Sequence, residues 1–360
     1  MTAAPTPETA MLDTLDARIV HALQLEPRIP FAHIAAGLGV AEQTVARRYR
    51  RLRRDGIVRV IGAVDARALG ESDWIIRLHC RPDGALAVAE ALAQRDDAAW
   101  ISIADAGAEI VFSLHPRSQR DRDDLLVQRL QRSAPVHDIT AAMILHRFVR
   151  GDVIDWRGRQ FAANAGVGGE SIPGTDRESS SRAAEYAEAE LRIGESDRVL
   201  LELLARDGRT SYTVLARATG MSIGRVTRRI AALRAGGVLY FDLDIAPAVA
   251  GSGTAAFLWL RVAPAHLEAV GRAVAEHDEI TYAAAISGSF NIFAVLQTDS
   301  TTALYRYVTT EMSALEGIHG FELSPVLHRL KQAGARTTGG KLAHPKPLAA
   351  RPARTRSAAK

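Results

Sequence analysis

Six arginines stand among the eight residues from Arg47 to Arg54, in the stretch TVARRYRRLRRDG. A guanidinium presents five donors in a fixed fork and stays charged, so such a density on one surface suits binding to phosphate oxygens or to the acceptor edge of guanine. A basic run can equally be a solvated helix face. What decides between the two is the element that carries it.

Other side chains able to do chemistry are sparse or badly spaced. Cys80 is the single cysteine, which excludes an intrachain disulfide and any zinc site built on two thiolates of one chain. The histidines form no helical pair, so no metal is expected. GSGTAA at 251 is followed by a strand pattern where a phosphate site needs a helix N-terminus, GVGGE lacks a following Lys-Ser/Thr, and no serine lies in G-x-S-x-G. No catalytic residue and no cofactor is therefore expected.

The 360 residues are 47% hydrophobic with a net charge of +4, enough to bury several cores but too little charge to argue for nucleic acid alone. The sequence holds no apolar run near the roughly 20 residues of a membrane helix, and its start, MTAAPTPETAMLD, lacks a secretory plan. The expected location is the cytoplasm, with no membrane partner.

The elements that must position the arginines come from a repeat. At an offset of 181 residues, the segment from Asp16 aligns without a gap on the segment from Asp197; Arg28 meets Arg209, Gly39 meets Gly220, and Arg47 and Arg48 meet Arg228 and Arg229. With one register change, ILHRFV near 144 matches VLHRLK near 326. The expected division is a disordered N-terminus (1–11), a helix-turn-helix (12–66), a mixed domain (70–150), a linker (151–192) with a short helix near 183–191, a second helix-turn-helix (193–247), a second mixed domain (253–332), and a disordered basic tail (333–360).

In each helical unit a second short helix turns at Gly39 or Gly220 into a third helix, the plan of a helix-turn-helix. Val45, Tyr49 and Leu52 at i, i+4 and i+7 give that helix one buried stripe, kept apolar as Val226, Ile230 and Leu233 in the second copy. The opposite face is left to Gln43, Thr44 and Arg47 as candidates for reading bases, and to Arg48 and Arg51 as candidates for phosphates. In the second copy the candidates are Ser222, Arg225, Arg228 and Arg229. Ala231, Ala232 and Ala235 stand where the first copy has Arg50, Arg51 and Arg54, so the first helix-turn-helix is expected to dominate DNA affinity.

Each mixed unit reads strand, helix, two strands, helix, strand. This βαββαβ order is ferredoxin-like, with helices on one face of a four-stranded antiparallel sheet. The uncovered face predicts association of the two copies, or of two chains. The fold class is α+β: two copies of a winged helix-turn-helix plus a ferredoxin-like domain.

From Leu12 to Val149 and from Ser196 to Lys331, the chain resembles the leucine-responsive regulator family (Lrp/AsnC), as two such proteins fused. The resemblance rests on LDTLDARIVHAL, the Gly-turn and Arg-Arg helix, the exit DGIVRVIGAVDARALG, and the mixed unit after it. It implies a DNA-binding transcriptional regulator with double-stranded DNA as partner, a homo-oligomer or intrachain pseudo-dimer, and a small effector, such as an amino acid, at the mixed units. The family's effector loop has a glycine followed closely by an aspartate. This chain departs from it with Gly107 and Glu109 in one copy and Gly288 and Asn291 in the other, where only Glu109 is able to pair with an ammonium group. Two alternatives stay open: a sirohaem decarboxylase-like enzyme, whose His- and Arg-containing second strand is absent from AWISIADAG and ITYAAAISG, and a ligand-sensing scaffold with decayed DNA binding.

Overall fold

The structure is a computed structural model and describes residues 12–65, 72–116, 118–148, 193–246, 249, 253–332 and 335–343. The segments expected as N-terminal disorder and linker, the helix near 183–191, and the tail beyond 343 lie outside the described residues.

The first copy runs α1 (Thr14–Leu25), α2 (Phe31–Leu38), α3 (Glu42–Arg54), β1 (Val58–Val64), β2 (Trp74–Cys80), α4 (Pro82–Ala93), β3 (Ala98–Ala104), β4 (Glu109–Leu114), α5 (Gln119–Asp123) and β5 (Val136–Arg147). A π-helical turn, Asp124–Arg129, continues α5. The second copy runs α6 (Glu195–Arg206), α7 (Tyr212–Thr219), α8 (Ile223–Ala235), β6 (Leu239–Ile245), β7 (Thr254–Val262), α9 (Leu267–Glu276), β8 (Ile280–Ile286), β9 (Ile292–Thr298), α10 (Thr301–Thr309) and β10 (Ile318–Arg329).

In each helical unit the second helix ends on a glycine in the left-handed region, Gly39 at φ 66° and Gly220 at φ 71°. An L side chain at either place is strained, which is why glycine makes the turn. Val45, Tyr49 and Leu52 sit in one core with Ile19, Leu23 and Ile34; Val226, Ile230 and Leu233 repeat the pattern with Leu200, Leu204 and Leu215.

β1 pairs antiparallel with β6 over seven residues, from Val58 opposite Ile245 to Val64 opposite Leu239. The strand that leaves each helix-turn-helix thus joins the two copies. The approach is close: a Cβ on Gly208 would lie 2.7 Å from Val60, and one on Gly62 would lie 2.9 Å from Leu204.

The eight remaining long strands close into a barrel in the order β10-β3-β4-β2-β5-β8-β9-β7. Each half is a four-stranded ferredoxin-like sheet. The final strand of each copy crosses to the second strand of the other: β5 pairs β8, and β10 pairs β3, each through a bulge. Ile76, Leu78 and Cys80 point toward α4, while Ile75 and Arg77 alternate to the other face. That other face is apolar, with Ile75, Val111, Ala142 and Ile144 against Phe257, Trp259, Ala284 and Phe293. Burying each large side chain here contributes about 1.5–3 kcal/mol, so the uncovered face found its cover within one chain.

Beyond β10 come three short strands, β11 (Lys331–Gln332), β12 (Ala335–Thr338) and β13 (Lys341–Leu342). The expectation of disorder from residue 333 is thereby corrected for 335–343. Only Ala335 and Leu342 of this stretch are buried apolar residues, and they pack on Ala246, a contact no local hydrophobic pattern announces.

Candidate nucleic-acid interface and ligand site

On α3, Gln43, Arg47, Arg50, Arg51 and Arg54 are exposed and Thr44 is half-buried. The buried stripe fixes this outcome, because a helix with one face in the core must present the other. Arg47 projects from the N-terminal half, beside Gln43. On α8, Ser222, Arg225 and Arg228 are exposed, and the Ser222 hydroxyl caps the helix by accepting from the Arg225 N–H at 3.3 Å.

Arg48 and Arg229 are half-buried and bonded to acids of the first helix of their units. Arg48 Nη1 donates to Asp13 and, at 3.0 Å, to Asp16 of α1, and Arg51 also reaches Asp16. Arg229 holds Asp197 of α6 through two bonds of 2.7 and 2.8 Å. The hydrogen bond from Arg48 holds Asp13 below the usual carboxylate value, and the same acids raise Arg48. These arginines therefore staple each recognition helix to the first helix of its unit. The signal was in the repeat, where Asp16 and Arg48 recur together as Asp197 and Arg229.

Arg53, on the same helix, joins the two copies. It pairs with Asp207 of the second copy at 2.9 Å, and its counterpart Arg234 faces Glu26 of the first at 3.5 Å. Together with the β1–β6 ribbon, these contacts tie each helical unit to the other copy.

The barrel interior holds a second polar site. Glu109, at the start of β4, is fully buried, and its carboxylate accepts from Arg77 of β2. Arg77 also donates to both carboxylate oxygens of Glu322 on β10, and its guanidinium lies 4.9 Å from the Trp259 ring centre. Burial disfavours the charged arginine, but Glu322 and Glu109 outweigh it and raise Arg77 above its ordinary value. Glu109 Oε2 and Trp259 Nε1 are buried without a hydrogen-bond partner, an acceptor and a donor beside one guanidinium. Asn291, the counterpart of Glu109, is closed off, donating to Val262 O at 2.7 Å and accepting from Val262 N at 2.8 Å. Gly107 (φ 88°) and Gly288 (φ 113°) shape the turns before these residues. Of the four residues expected to meet an effector, Glu109 is thus inside the barrel and Asn291 is bound to backbone. Arg77, Trp259 and Glu322 were not anticipated.

No group of three or more His, Cys, Asp or Glu residues suited to a metal occurs among the described residues, and no helix among them is long and apolar enough to cross a membrane.

Residues 12–53 and 195–234 match the AsnC-type helix-turn-helix domain, and residues 255–335 match the Lrp/AsnC ligand binding domain. An uncharacterized HTH-type transcriptional regulator of Pyrococcus furiosus is 32% identical over 122 residues, covering 33% of this chain and 82% of the relative. The chain belongs to the Lrp/AsnC family. Another relative is the HTH-type transcriptional regulator LrpA of Pyrococcus abyssi, 24% identical over 140 residues, which span 39% of this chain and 99% of the relative. The tandem arrangement has its own likeness among solved structures. The crystal structure of the siroheme decarboxylase NirDL covers 88% of this chain and 92% of its own, with a TM-score of 0.56 and 16% identity. At that identity the likeness is one of fold.

Proposed function

We propose that the chain is a sequence-specific DNA-binding transcriptional regulator, modulated by a small effector such as an amino acid. The observation that supports this best is the exposed Gln43–Arg47–Arg50–Arg54 face of α3, carried on a glycine-turn helix pair whose unit is tied to the second copy by Arg53–Asp207 and Arg234–Glu26. The test is binding to duplex DNA over a salt series: a regulator gives affinity that falls steeply with salt, and an equally tight complex at every salt concentration, or none, refutes it.

For the effector, support comes from the interior of the barrel. A guanidinium with a buried unpartnered acceptor, Glu109 Oε2, and donor, Trp259 Nε1, is the complement of a small zwitterion, and Glu322 at 43% exposure is the carboxylate such a ligand would displace. Glu109→Gln should then abolish any thermal shift that an amino-acid panel produces in the unsubstituted protein.

The likeness in tandem arrangement to the decarboxylase favours a second reading, an enzyme acting on sirohaem. Neither β3 (AAWISIA) nor β8 (ITYAAAI) carries a histidine or arginine for acid–base or anion-binding work. Incubation with sirohaem, followed by absorbance, separates the two, and turnover would overturn the regulator.

A further inference from the structure

The chain's last described residues form a hairpin against the exit of α3. β12 and β13 pair with Thr337 opposite Leu342 and Thr338 opposite Lys341, and the two residues between them, Gly339 (φ 57°) and Gly340 (φ 75°), are both left-handed. This is the tight two-residue turn that matches strand twist. A Cβ on Gly339 would meet nothing within 4 Å, so the tip is open.

The hairpin is held from both sides. Leu342 N–H donates to Gly56 O at 2.8 Å, two residues beyond α3, and any side chain on Gly56 would collide with Leu342 O at 2.5 Å. At its root, Lys331 is buried and donates to Ala98 O of β3 at 2.7 Å, while Gln332 is 3.4 Å from Asp244 and from Ile245 O of β6. Arg336, Thr338, Gly339 and Lys341 are exposed. No acidic residue follows Glu322 in the sequence, and Lys346, Arg351, Arg354, Arg356 and Lys360 come after the hairpin.

In this molecule β1, the strand leaving α3, pairs with β6, and among the described residues no further strand joins it to make a hairpin beside its own recognition helix. We infer that the β12–β13 hairpin takes that place: a wing, supplied to the first helix-turn-helix from the far end of the chain, that contacts the DNA backbone. Its ligand is the phosphate backbone of a duplex. Arg336 and Lys341 meet phosphate oxygens by charge, and the Gly-Gly tip lets backbone N–H groups approach closely. Contacts of this kind position a protein on DNA and carry no base information. The inference rests on the DNA-binding reading above.

The test uses the full chain with Arg336→Gln and Lys341→Gln together, two exposed sites where neutralisation leaves the core untouched. Binding to a labelled duplex of random sequence, about 30 base pairs long, is followed by fluorescence anisotropy over a sodium chloride series. Each lost phosphate contact removes about one unit from the slope of log affinity against log salt, so the double variant should be shallower by about two. Its affinity should fall roughly three- to tenfold at about 0.1 M salt, by the same factor on a duplex selected from a random pool, and Lys341→Glu should show a deeper loss than Lys341→Gln. An unchanged slope in the double variant, while the unsubstituted chain binds with normal salt dependence, overturns the wing and leaves the regulator standing. A loss confined to the selected duplex overturns it too, because that is base reading. If the unsubstituted chain shows no salt-dependent binding, the regulator reading falls and takes the wing with it.

Discussion

Arg28 and Arg209, equivalent residues of the two copies, hold each other's loops. Arg28 donates to Gly208 O and, at 3.3 Å, to Thr210 O; Arg209 donates to Pro27 O at 2.7 Å and to Ile29 O at 2.9 Å. Each guanidinium also lies over the other copy's aromatic residue at the start of its second helix, Arg28 over Tyr212 at 4.9 Å and Arg209 over Phe31 at 4.3 Å. This is an isologous contact of the kind a two-fold dimer makes, here within one polypeptide.

Arg209→Ala should therefore destabilise the paired heads by about 2–4 kcal/mol, since it removes two bonds from a charged donor and a cation–π contact. Native-state hydrogen exchange should show faster exchange around Ile29 and in β1, with β3 and β4 of the barrel unchanged. Equal acceleration everywhere would mean that the clasp is not local to the heads.

Arg47→Glu is expected to lower DNA affinity more than Arg228→Glu, because Arg50, Arg51 and Arg54 surround the first site and alanines surround the second. These two positions compare the copies cleanly. Reversing Arg48 or Arg229 would also break the staples to Asp13, Asp16 and Asp197, so a loss there would mix folding with binding. Equal losses at Arg47 and Arg228 in an anisotropy titration would end the asymmetry.

Removing one member of the buried barrel cluster should cost more than removing two. Arg77→Met strands the Glu109 carboxylate in the interior and is expected to destabilise by about 3–5 kcal/mol, while Arg77→Met with Glu109→Leu should recover most of it. Urea unfolding of the three proteins decides the point; a double variant as unstable as the single one would show that the charges are not coupled.

Acid should loosen the second head through Asp197. Burial raises its pKa, but Arg229 and the Gly194 N–H outweigh that, leaving it below the ordinary 3.8. A carboxylate with a depressed folded value contributes its full stability above 3.8 and loses it as pH falls through the folded value. The unfolding midpoint of Asp197→Asn should thus sit below the parent's at neutral pH and converge with it in acid, as calorimetry at stepped pH would show.

Cys80 should resist thiol reagents in the native protein. Its side chain is buried toward α4, and burial pushes the thiol up to about 11, leaving little thiolate near neutrality. Modification by a disulfide reagent should wait on opening of the barrel, so rapid labelling under native conditions would contradict the packing of β2 on α4.

Much of this fold was legible because the repeat compares two solutions to one problem. The stripe Val45–Tyr49–Leu52 and its echo Val226–Ile230–Leu233 share a period and an outcome, and strands such as β2 alternate as a sheet with two different faces must. Pairings between distant segments were not legible. Glu109 shows a carboxylate near a glycine turn, yet its surroundings depend on Glu322 and Trp259, which only barrel closure brings near. The hairpin at 335–342 escaped because it has two buried apolar residues, too few to raise a pattern, and its stability is lent by Gly56, Ala246 and β3.

Crossing of β5 to β8 and of β10 to β3 has one more consequence. A regulator assembled from separate subunits loses its paired heads on dilution, and its operator occupancy then depends on the square of protomer concentration. In this chain both halves of the pair are made by one ribosome and stay joined by a covalent bond, so the partner's effective concentration does not change with expression level. On the proposed DNA-binding reading, and where single chains bind without further assembly, occupancy of a single operator should follow a simple hyperbola down to the scarcest amounts of protein, and each half is free to change without having to remain compatible with a copy of itself.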